Sequence, residues 1–395
     1  MPLLSNKGKS FQGSIVLGKG FVLSTEQAEK LIKKDPRNKD VIFPYLNGDD
    51  LNNDPEQKPS RWVINFFDWD EEKAKTYPDC YEIIEKLVKP ERQRWKKDNE
   101  GNEIVGTYAL RKPLPQKWWI YGEKRPALYN AISELDQVMV VGQVAKYPSF
   151  DFVNIDQVLD AKLVVIASQD FCDFAILQSN IHFSWIVKYA TTLETRLNYT
   201  PTVLFETFPF PLHNDSLENI GKEFHKKRHQ LTVKMNLGFT KIYNLFHSRK
   251  LKLLDNNEDI TNDKIFESKN GKEGVSLKKH LQSKQLLSIK NYNMCILRIL
   301  ELRQLQIELD RKVLDVYDWS DVPLNHNFHQ LEYLSESDNI RFTIHSDSRK
   351  EILKRLLMLN HQCYKEEVSK DSKNIKSKHK KTGNKEKEDN FPKLF

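Results

Sequence analysis

The sequence predicts an α+β protein: a mixed α/β domain over residues 1–212, a mostly α-helical domain over residues 213–367 and a disordered basic tail over residues 368–395. All but one of the seven tryptophans, and many Gly and Pro turn signals, fall in the first domain. Long, proline-poor amphipathic segments follow, which is typical of a helical bundle. The tail is rich in Lys, Ser and Asn and cannot bury a core. It either adds non-specific attraction for phosphates or has no role.

In the first domain, short apolar runs between turn residues predict strands over residues 14–17, 62–66, 137–141 and 162–166. Apolar residues at helical spacing predict a helix that starts with Thr25 as its N-cap. Two more helices are predicted over residues 81–88 and 174–189. This pattern ends at Phe208-Pro209-Phe210-Pro211, where two prolines stiffen the chain as it leaves the first domain. This segment is called the proline-rich exit.

In the second domain, three long amphipathic segments are predicted as helices. They cover residues 217–247, 294–317 and 348–367. In the second of these, five apolar residues are spaced 3, 4, 4 and 3 apart and form one stripe, namely Leu302, Leu305, Leu309, Val313 and Val316.

The amino-acid composition excludes only a few classes of protein function. The formal net charge of +7 permits nucleic-acid binding without requiring it. The sequence contains no apolar run long enough for a transmembrane helix and no signal peptide at its start, so we expect a cytoplasmic protein without membrane contact. The four cysteines form no C-x-x-C pair, which predicts reduced, mostly buried thiols rather than a zinc ribbon.

Motifs for catalysis are missing or weak. No Pro-Pro dipeptide occurs, so the Asn/Asp-Pro-Pro-aromatic tetrad of DNA amino-methyltransferases is absent, and so is a G-x-x-x-x-G-K-[ST] loop for ATP. Gly18-Lys19-Gly20 follows a predicted strand and favours a hairpin turn over a nucleotide loop. Asp310-Arg311-Lys312 matches the D-x-K end of a metal-dependent nuclease site, but we expect these charges on the solvent face of a helix.

His225 and His229 are four residues apart on one predicted helix face. Without the glutamate of H-E-x-x-H, they do not indicate a zinc site. The stretch His225-Lys226-Lys227-Arg228-His229 is interpreted as a basic patch that contacts phosphate or, with more weight, is simply solvated.

The segment 192–199 contains a pattern suited to reading bases. If it is a strand, Glu194, Arg196 and Asn198 point to one face. In the major groove, Arg bonds guanine, Asn bonds adenine and Glu accepts from cytosine. The pattern alone favours an ordinary polar strand face with a cross-strand salt bridge over base reading, and both alternatives stay open.

Two basic and aromatic clusters suit contacts with phosphate groups. One is Lys89-Pro90-Glu91-Arg92-Gln93-Arg94-Trp95 and the other is Lys117-Trp118-Trp119-Ile120-Tyr121. The aromatic residues of the second cluster could equally fill a core.

An ordered series of motifs resembles the C-terminal half of the MmeI-like single-chain restriction–modification enzymes, type IIL within type IIG. The resemblance covers nearly all of residues 10–367. It includes segments 231–246, 309–319 and 356–364 of the helical part. In the first domain it is carried by Ser10-Phe11-Gln12-Gly13-Ser14, Phe43-Pro44-Tyr45-Leu46-Asn47-Gly48, Arg61-Trp62-Val63-Ile64-Asn65-Phe66, Arg125-Pro126-Ala127-Leu128-Tyr129 and Phe208-Pro209-Phe210-Pro211.

The resemblance implies a target-recognition domain followed by a helical domain that holds the DNA duplex. In that family, upstream domains cleave DNA and methylate adenine at N6, so S-adenosylmethionine and Mg²⁺ are expected only in domains missing from this chain. The chain would begin just after the methyltransferase domain, which agrees with the missing Pro-Pro tetrad.

The resemblance also implies base-reading positions at Ala161 and Lys162, and again at Glu194, Arg196 and Asn198. Asp160-Ala161-Lys162 departs from the more polar family pattern, which leaves the base preferred there undetermined. Basic residues that would position phosphates are Lys89, Arg92, Lys117 and Arg125.

The main hypothesis is therefore a non-catalytic module that recognises double-stranded DNA and works with a separately encoded methyltransferase or nuclease chain. Two alternatives remain. The chain could act alone as an adenine-specific DNA methyltransferase that binds S-adenosylmethionine, or it could be an inactive gene fragment.

Overall fold

The computed structural model describes residues 1–193, 196–331, 334, 336 and 339–381. Its strands are β1 (Ser10–Gln12), β2 (Val22–Ser24), β3 (Ile42–Leu46), β4 (Arg61–Ile64), β5 (Trp95–Lys97), β6 (Glu103–Tyr108), β7 (Gln137–Gly142), β8 (Val144–Ala145), β9 (Asp151–Asn154), β10 (Val158–Leu159), β11 (Leu163–Ile166), β12 (Thr191–Leu193), β13 (Arg196–Asn198), β14 (Asn327–Gln330) and β15 (Ile340–Thr343).

The helices are α1 (Thr25–Lys34), α2 (Gly48–Asn53), α3 (Glu71–Lys75), α4 (Pro78–Leu87), α5 (Lys89–Arg92), α6 (Pro126–Ile132), α7 (Phe171–Gln178), α8 (Asn180–Tyr189), α9 (Asp215–Met235), α10 (Phe239–Phe246), α11 (Asp263–Ser283), α12 (Ile289–Val316) and α13 (Ser346–Lys381). The predicted α+β class, with strands concentrated in the first part and long helices in the second, is confirmed.

Two four-stranded sheets organise the first part of the chain. One has the order β1-β11-β7-β9 and is antiparallel throughout; the other has the order β10-β3-β4-β2. Residues 138–141 of β7 and all of β11 are buried, which explains why their sequences are continuous apolar runs rather than alternating ones. The turn from β10 into β11 carries Ala161 and Lys162 and therefore connects the two sheets.

Two hydrophobic cores stabilise the molecule. The larger one runs from β7 and β11 through α7 and α8 to α9 and α12, so the helical part packs directly on the first sheet. The smaller one surrounds β3 and β4 and contains Trp118, Trp119 and Tyr121. The interpretation of these three aromatic residues as core is confirmed. Tyr317 Oη donates to the carbonyl oxygen of Pro209 at 2.8 Å and fixes the proline-rich exit to the end of α12.

The structure refines the predicted elements in five places. Residues Ser14 and Ile15 make only isolated bridges, and the strand there is β1, four residues earlier. Ser24, not Thr25, caps α1, because its hydroxyl accepts from the Gln27 backbone while Gln27 accepts from the Ser24 backbone. The segments 174–189 and 217–247 are each two helices, and the last helix continues past residue 367 to Lys381.

Physical reasons for both helix breaks are visible. Ser179 has extended backbone and caps α8 by accepting from the His182 N–H. Asn236 ends α9 in the left-handed conformation, which asparagine tolerates better than most residues. Among the described residues, no helix is both long and apolar enough to cross a membrane.

Candidate nucleic-acid interface

Residues 191–193 and 196–198 form two paired strands of a β-hairpin instead of one strand, and the two residues between them lie outside the described residues. β12 and β13 pair antiparallel with Leu193 opposite Arg196. Arg196 and Asn198 still share one face of β13, because Leu197 between them points the other way and is 2% exposed. Arg196 is exposed, and Asn198 is half-buried with its Nδ2 donating to Thr191 Oγ1 at 3.1 Å. Glu194 lies outside the described residues, so its shared face with Arg196 stays a prediction.

Ala161 and Lys162 form the turn between β10 and β11. Asp160 Oδ1 accepts from the Lys162 backbone N–H at 2.6 Å, and the carbonyl oxygen of Ala161 accepts from Gln12 Nε2 at 3.0 Å. Lys162 is exposed and Ala161 is half-buried. The turn is therefore held by its backbone while the Lys162 side chain projects outward.

Gln143 joins these two segments. It follows β7, and its N–H donates to the carbonyl oxygen of Lys162 at 2.7 Å. Its own carbonyl oxygen accepts from the N–H of Tyr199, directly after β13, also at 2.7 Å. The residue after it, Val144, pairs with Asn198 through β8. The structure thus brings together the two separate segments that the sequence singled out.

Arg196 also borders a cleft with a volume of about 670 Å³. Lys146 and Tyr147 after β8 line it together with Arg196, and this part of the lining is called the hairpin side. Residues between α10 and the kink at Gly271 in α11 also line it, and this part is called the helical wall. Both walls carry basic side chains, which are Lys146, Arg196, Arg249, Lys250 and Lys272, against two acids, Glu273 and Glu336.

The electrostatic potential around His247, which lines the cleft, is positive. Burial, reinforced by three cations, holds the pKa of half-buried His247 well below its ordinary value, so the imidazole is neutral. The cations are Arg341, Arg303 and Lys146. At the cleft edge, Lys146 Nζ and Tyr147 Oη both donate to Asn244 Oδ1, at 3.0 and 2.8 Å. A site of this sign attracts anions such as phosphate groups.

The four residues predicted to contact phosphates have different environments. Lys117 is exposed. Lys89 is half-buried, bonds Glu85 at 2.7 Å and lies over the Trp118 ring, 4.8 Å from its centroid. Neither lines the cleft beside Arg196. Their role at phosphates stays a prediction.

The prediction for Arg92 is wrong, because its side chain is fully buried. The guanidinium donates to the carbonyl oxygens of Val16 and Leu17 at 2.9 and 2.7 Å and to that of Ile120 at 2.5 Å. Burial lowers the pKa of Arg92 to about 10, which still leaves it charged at neutral pH. Arg92 therefore holds two separate backbone segments, residues 16–17 and 117–120, against α5 and cannot reach a phosphate.

Arg125 is partly buried and already bonded. It donates to Gln12 Oε1 at 2.8 Å and to the Gly13 carbonyl oxygen at 3.3 Å, and it pairs with Glu123 at 2.7 Å. Because Gln12 also bonds Ala161, Arg125 supports the turn that carries Lys162. This geometry suits positioning of Gln12 better than contact with a phosphate.

Two weaker motifs have structural explanations. Lys19–Phe21 is a 3₁₀ turn packed on the end of α4, and a Cβ at Gly20 would lie 2.5 Å from Leu87 Cβ, so this glycine is needed for the close approach of the turn to α4. Asp310 is not on a solvent face as expected. It is fully buried and accepts from the Asn180 backbone, from Asn180 Nδ2 and from His326 at 2.7 Å each.

The basic patch on α9 is also only partly solvated. Arg228 is 1% exposed and bonds Asp151 at 3.1 Å, and His225 bonds the same carboxylate at 2.7 Å. Burial acts to raise the pKa of Asp151, but Arg228 and His225 outweigh it and hold that pKa below its usual value. Their role is to secure α9 to β9, which corrects the solvated interpretation for these two residues.

Comparison with known protein families identifies the family of this chain. The profile of the family described as "MmeI, target recognition domain" matches residues 5–212, more than half of the chain. The chain belongs to the MmeI target-recognition family. The match contains β12, β13 and the turn at residues 161–162, and ends beside the Phe208-Pro209-Phe210-Pro211 exit.

One solved structure similar to this MmeI-family chain bears the description "Structure of Type IIL restriction-modification enzyme MmeI in complex with DNA has implications for engineering of new specificities". The sequences are 14% identical, the TM-score is 0.44, and the match covers 77% of this chain. The chain spans about a third of that protein, 36% of its length. No curated protein matches the sequence.

Sequence reasoning about this MmeI-family chain missed the helical wall of the cleft. Arg249, Lys250 and Lys272 lie beyond the family match and were not singled out. The local signal was the run Arg249-Lys250-Leu251-Lys252 between two helices. Only the kink at Gly271, with φ of 60°, brings Lys272 to the same cleft, and a single glycine in a lysine-rich helix does not predict that.

Proposed function

We propose that the chain reads a specific sequence of double-stranded DNA for a type IIG restriction–modification enzyme of the MmeI kind, which methylates adenine at N6. The observation that carries this proposal is the position of Arg196. It is an exposed arginine on the edge of a cleft of about 670 Å³ with basic residues on both walls. Membership of the target-recognition family supports the same function.

Arg196 and Lys162 are proposed to read base edges in the major groove. An arginine can bond O6 and N7 of guanine with two parallel hydrogen bonds, and lysine can bond the same acceptors. Asn198 would read a base only after its Nδ2 releases Thr191 Oγ1. Its Oδ1 is buried and has no hydrogen-bond partner among the described residues. Glu194 and Ala161 complete the proposed set of base-reading positions.

Phosphate contacts are proposed for the helical wall of the cleft. Arg249, Lys250 and Lys272 are exposed and line the same cleft as Arg196. Such contacts fix the register of a protein on the duplex and supply most of its salt-dependent affinity. Base reading on one wall and phosphate binding on the other would hold the duplex in one orientation.

Methyl transfer and cleavage are proposed to reside outside residues 1–395. S-adenosylmethionine and Mg²⁺ would then be bound there, and a separately encoded chain is one way to supply those domains. We further propose that the protein works in the cytoplasm, where bacterial restriction–modification systems meet DNA.

Selection from a random double-stranded DNA library tests the proposed function. The full chain is incubated with the library at moderate salt, bound DNA is amplified over several rounds, and the enriched sequences are aligned. We expect one conserved motif, because base-edge contacts discriminate by about 1–3 kcal/mol per position. Enrichment without a motif would leave only non-specific binding and contradict the proposal.

A further inference from the structure

Three side chains of metal-ligating types lie together where the first sheet domain meets the helical part. Asp170 caps α7, Cys172 is in its first turn, and His213 lies in the segment leading to α9. One ligand atom from each lies within 4.8 Å of the other two. They lie away from the cleft beside Arg196, which none of them lines.

The spacing is close to that of a zinc site. His213 Nδ1 is 3.0 Å from Asp170 Oδ2. Tetrahedral bonds of about 2.0–2.1 Å from zinc place nitrogen and oxygen ligands roughly 3.3 Å apart. The carboxylate and imidazole are therefore already at ligand spacing, and only the thiol has to approach by a small movement.

Surrounding groups support ligation by the thiol. Cys172 is 1% exposed, and the backbone N–H of Asn214 donates to its sulfur. An N–H directed at sulfur stabilises a thiolate once a metal has displaced the proton.

A second carboxylate lies near the other nitrogen of the imidazole. His213 Nε2 lies 3.7 Å from Asp215 Oδ1, on the opposite side of the ring from Asp170. Metal-binding histidines usually direct their other ring nitrogen to such a partner. Glu218 adds further negative charge, because its Oε2 and Asp170 Oδ1 both accept from the Cys172 N–H, at 3.0 and 2.6 Å.

We propose that Asp170, Cys172 and His213 bind one zinc ion, with water in the fourth position. The donor set of one sulfur, one nitrogen and one oxygen suits zinc better than the oxygen-seeking Mg²⁺ or Ca²⁺. The His213 side chain is 57% exposed, which leaves the ion an entry path and room for water. Bound there, the ion would tie α7 to the start of α9, independently of the proposed DNA recognition.

Metal titration of the full chain tests the proposal. After chelator treatment and buffer exchange, Co²⁺ is added as a spectroscopic probe, and Zn²⁺ is then added in competition. We expect one Co²⁺ per chain, a thiolate-to-cobalt charge-transfer band, tetrahedral visible bands, and loss of all of them when Zn²⁺ is added. A chain that binds no Co²⁺, or binds it without the thiolate band, would overturn the proposal.

Variants assign the ligands. Cys172→Ser should abolish the thiolate band, and His213→Ala should weaken Co²⁺ binding at least tenfold. Cys80→Ser is the matched control, since Cys80 is a buried thiol outside the cluster whose hydrogen bond to Asn38 a hydroxyl can keep.

Thermal unfolding distinguishes a loss of folding stability from the loss of a metal ligand. Thermal unfolding of each apo variant is compared with the apo parent, and exposed His213 should be replaceable without loss of apo stability. Added Zn²⁺ should raise the melting temperature of the parent and of Cys80→Ser, but not of Cys172→Ser. An equal rise in Cys172→Ser would place the ion elsewhere and contradict the assignment.

Discussion

The backbone N–H of Gln143 donates to the carbonyl oxygen of Lys162 at 2.7 Å. The same residue accepts from the N–H of Tyr199, so the turn at residues 161–162 and the strand that carries Arg196 share one backbone connection. Two segments more than thirty positions apart in the chain are therefore tied to one residue. This connection places the two stretches that we propose to read DNA beside each other.

Arg125→Ala should change base preference without changing salt dependence. Its side chain bonds Gln12, which in turn bonds the carbonyl oxygen of Ala161. Its loss should loosen the turn of Lys162 while removing no phosphate contact. The measurement is binding to the selected motif and to its single-base variants over a range of salt concentrations. If the slope of log K against log salt became shallower by about 0.9, Arg125 would be a phosphate contact after all.

Lys250→Ala and Lys272→Ala should weaken binding to all DNA sequences alike. Both residues are exposed on the helical wall of the cleft. Each phosphate contact that is lost should make the salt slope shallower by about 0.9. Lys86→Ala on α4, an exposed lysine that does not line the cleft, serves as the control and should leave the slope unchanged. A changed motif in either cleft variant would assign that lysine to base reading.

Arg92→Met should destabilise the fold. The substitution removes every hydrogen bond of a buried guanidinium and leaves the carbonyl oxygens of Val16, Leu17 and Ile120 without that donor. Each buried polar group left without a partner costs about 1–3 kcal/mol, so we expect the free energy of unfolding to fall by about 3 kcal/mol or more. Urea denaturation measures this change. Lys86→Ala should stay within about 0.5 kcal/mol of the parent.

Stability should fall as the pH drops from about 6.5 towards 3. Burial lowers the pKa of His182 to about 3, so in this window the unfolded chain binds a proton at His182 that the folded chain does not. The stabilising contribution of neutral His182 is complete at pH values above its pKa in the unfolded chain. It is lost as the pH falls to its pKa in the folded chain. The measurement is urea denaturation at a series of pH values.

His182→Gln should flatten that dependence. Glutamine can keep a hydrogen bond to Tyr199 Oη, which lies 3.0 Å from His182 Nε2, but carries no titrating ring. Exposed His361→Gln on α13 is the matched control and should keep the parental profile. A parental profile in His182→Gln would assign the acid sensitivity to other groups, such as half-buried His247, whose pKa is also lowered by burial.

Local patterns in the sequence predicted the elements that depend on them. The buried strands β7 and β11 and the apolar stripe of α12 follow from runs and spacings of apolar residues. The same patterns did not predict the hairpin at Arg196. The sequence between its two strands, Glu194-Thr195, lacks the Gly or Asn that marks a tight turn. Pattern alone therefore favoured one continuous strand.

Burial of charged residues could not be predicted from neighbours in sequence. Arg92 is enclosed by backbone from residues 16–17 and 117–120, and Asp310 by Asn180 and His326. Only the tertiary fold brings those partners together, and a buried charge is stable only with them. Each therefore looked like a surface charge in the sequence.

Arg196→Ala tests the central claim most directly. Repeating the DNA selection with this variant should give the parental motif with one position relaxed, and binding to the parental motif should weaken by about 1–3 kcal/mol. Arg37→Ala, at an exposed arginine in a 3₁₀ turn outside the cleft, is the matched control and should keep the full motif. An unchanged motif with uniformly weaker binding would show that Arg196 contacts phosphate and would contradict direct base reading by this hairpin.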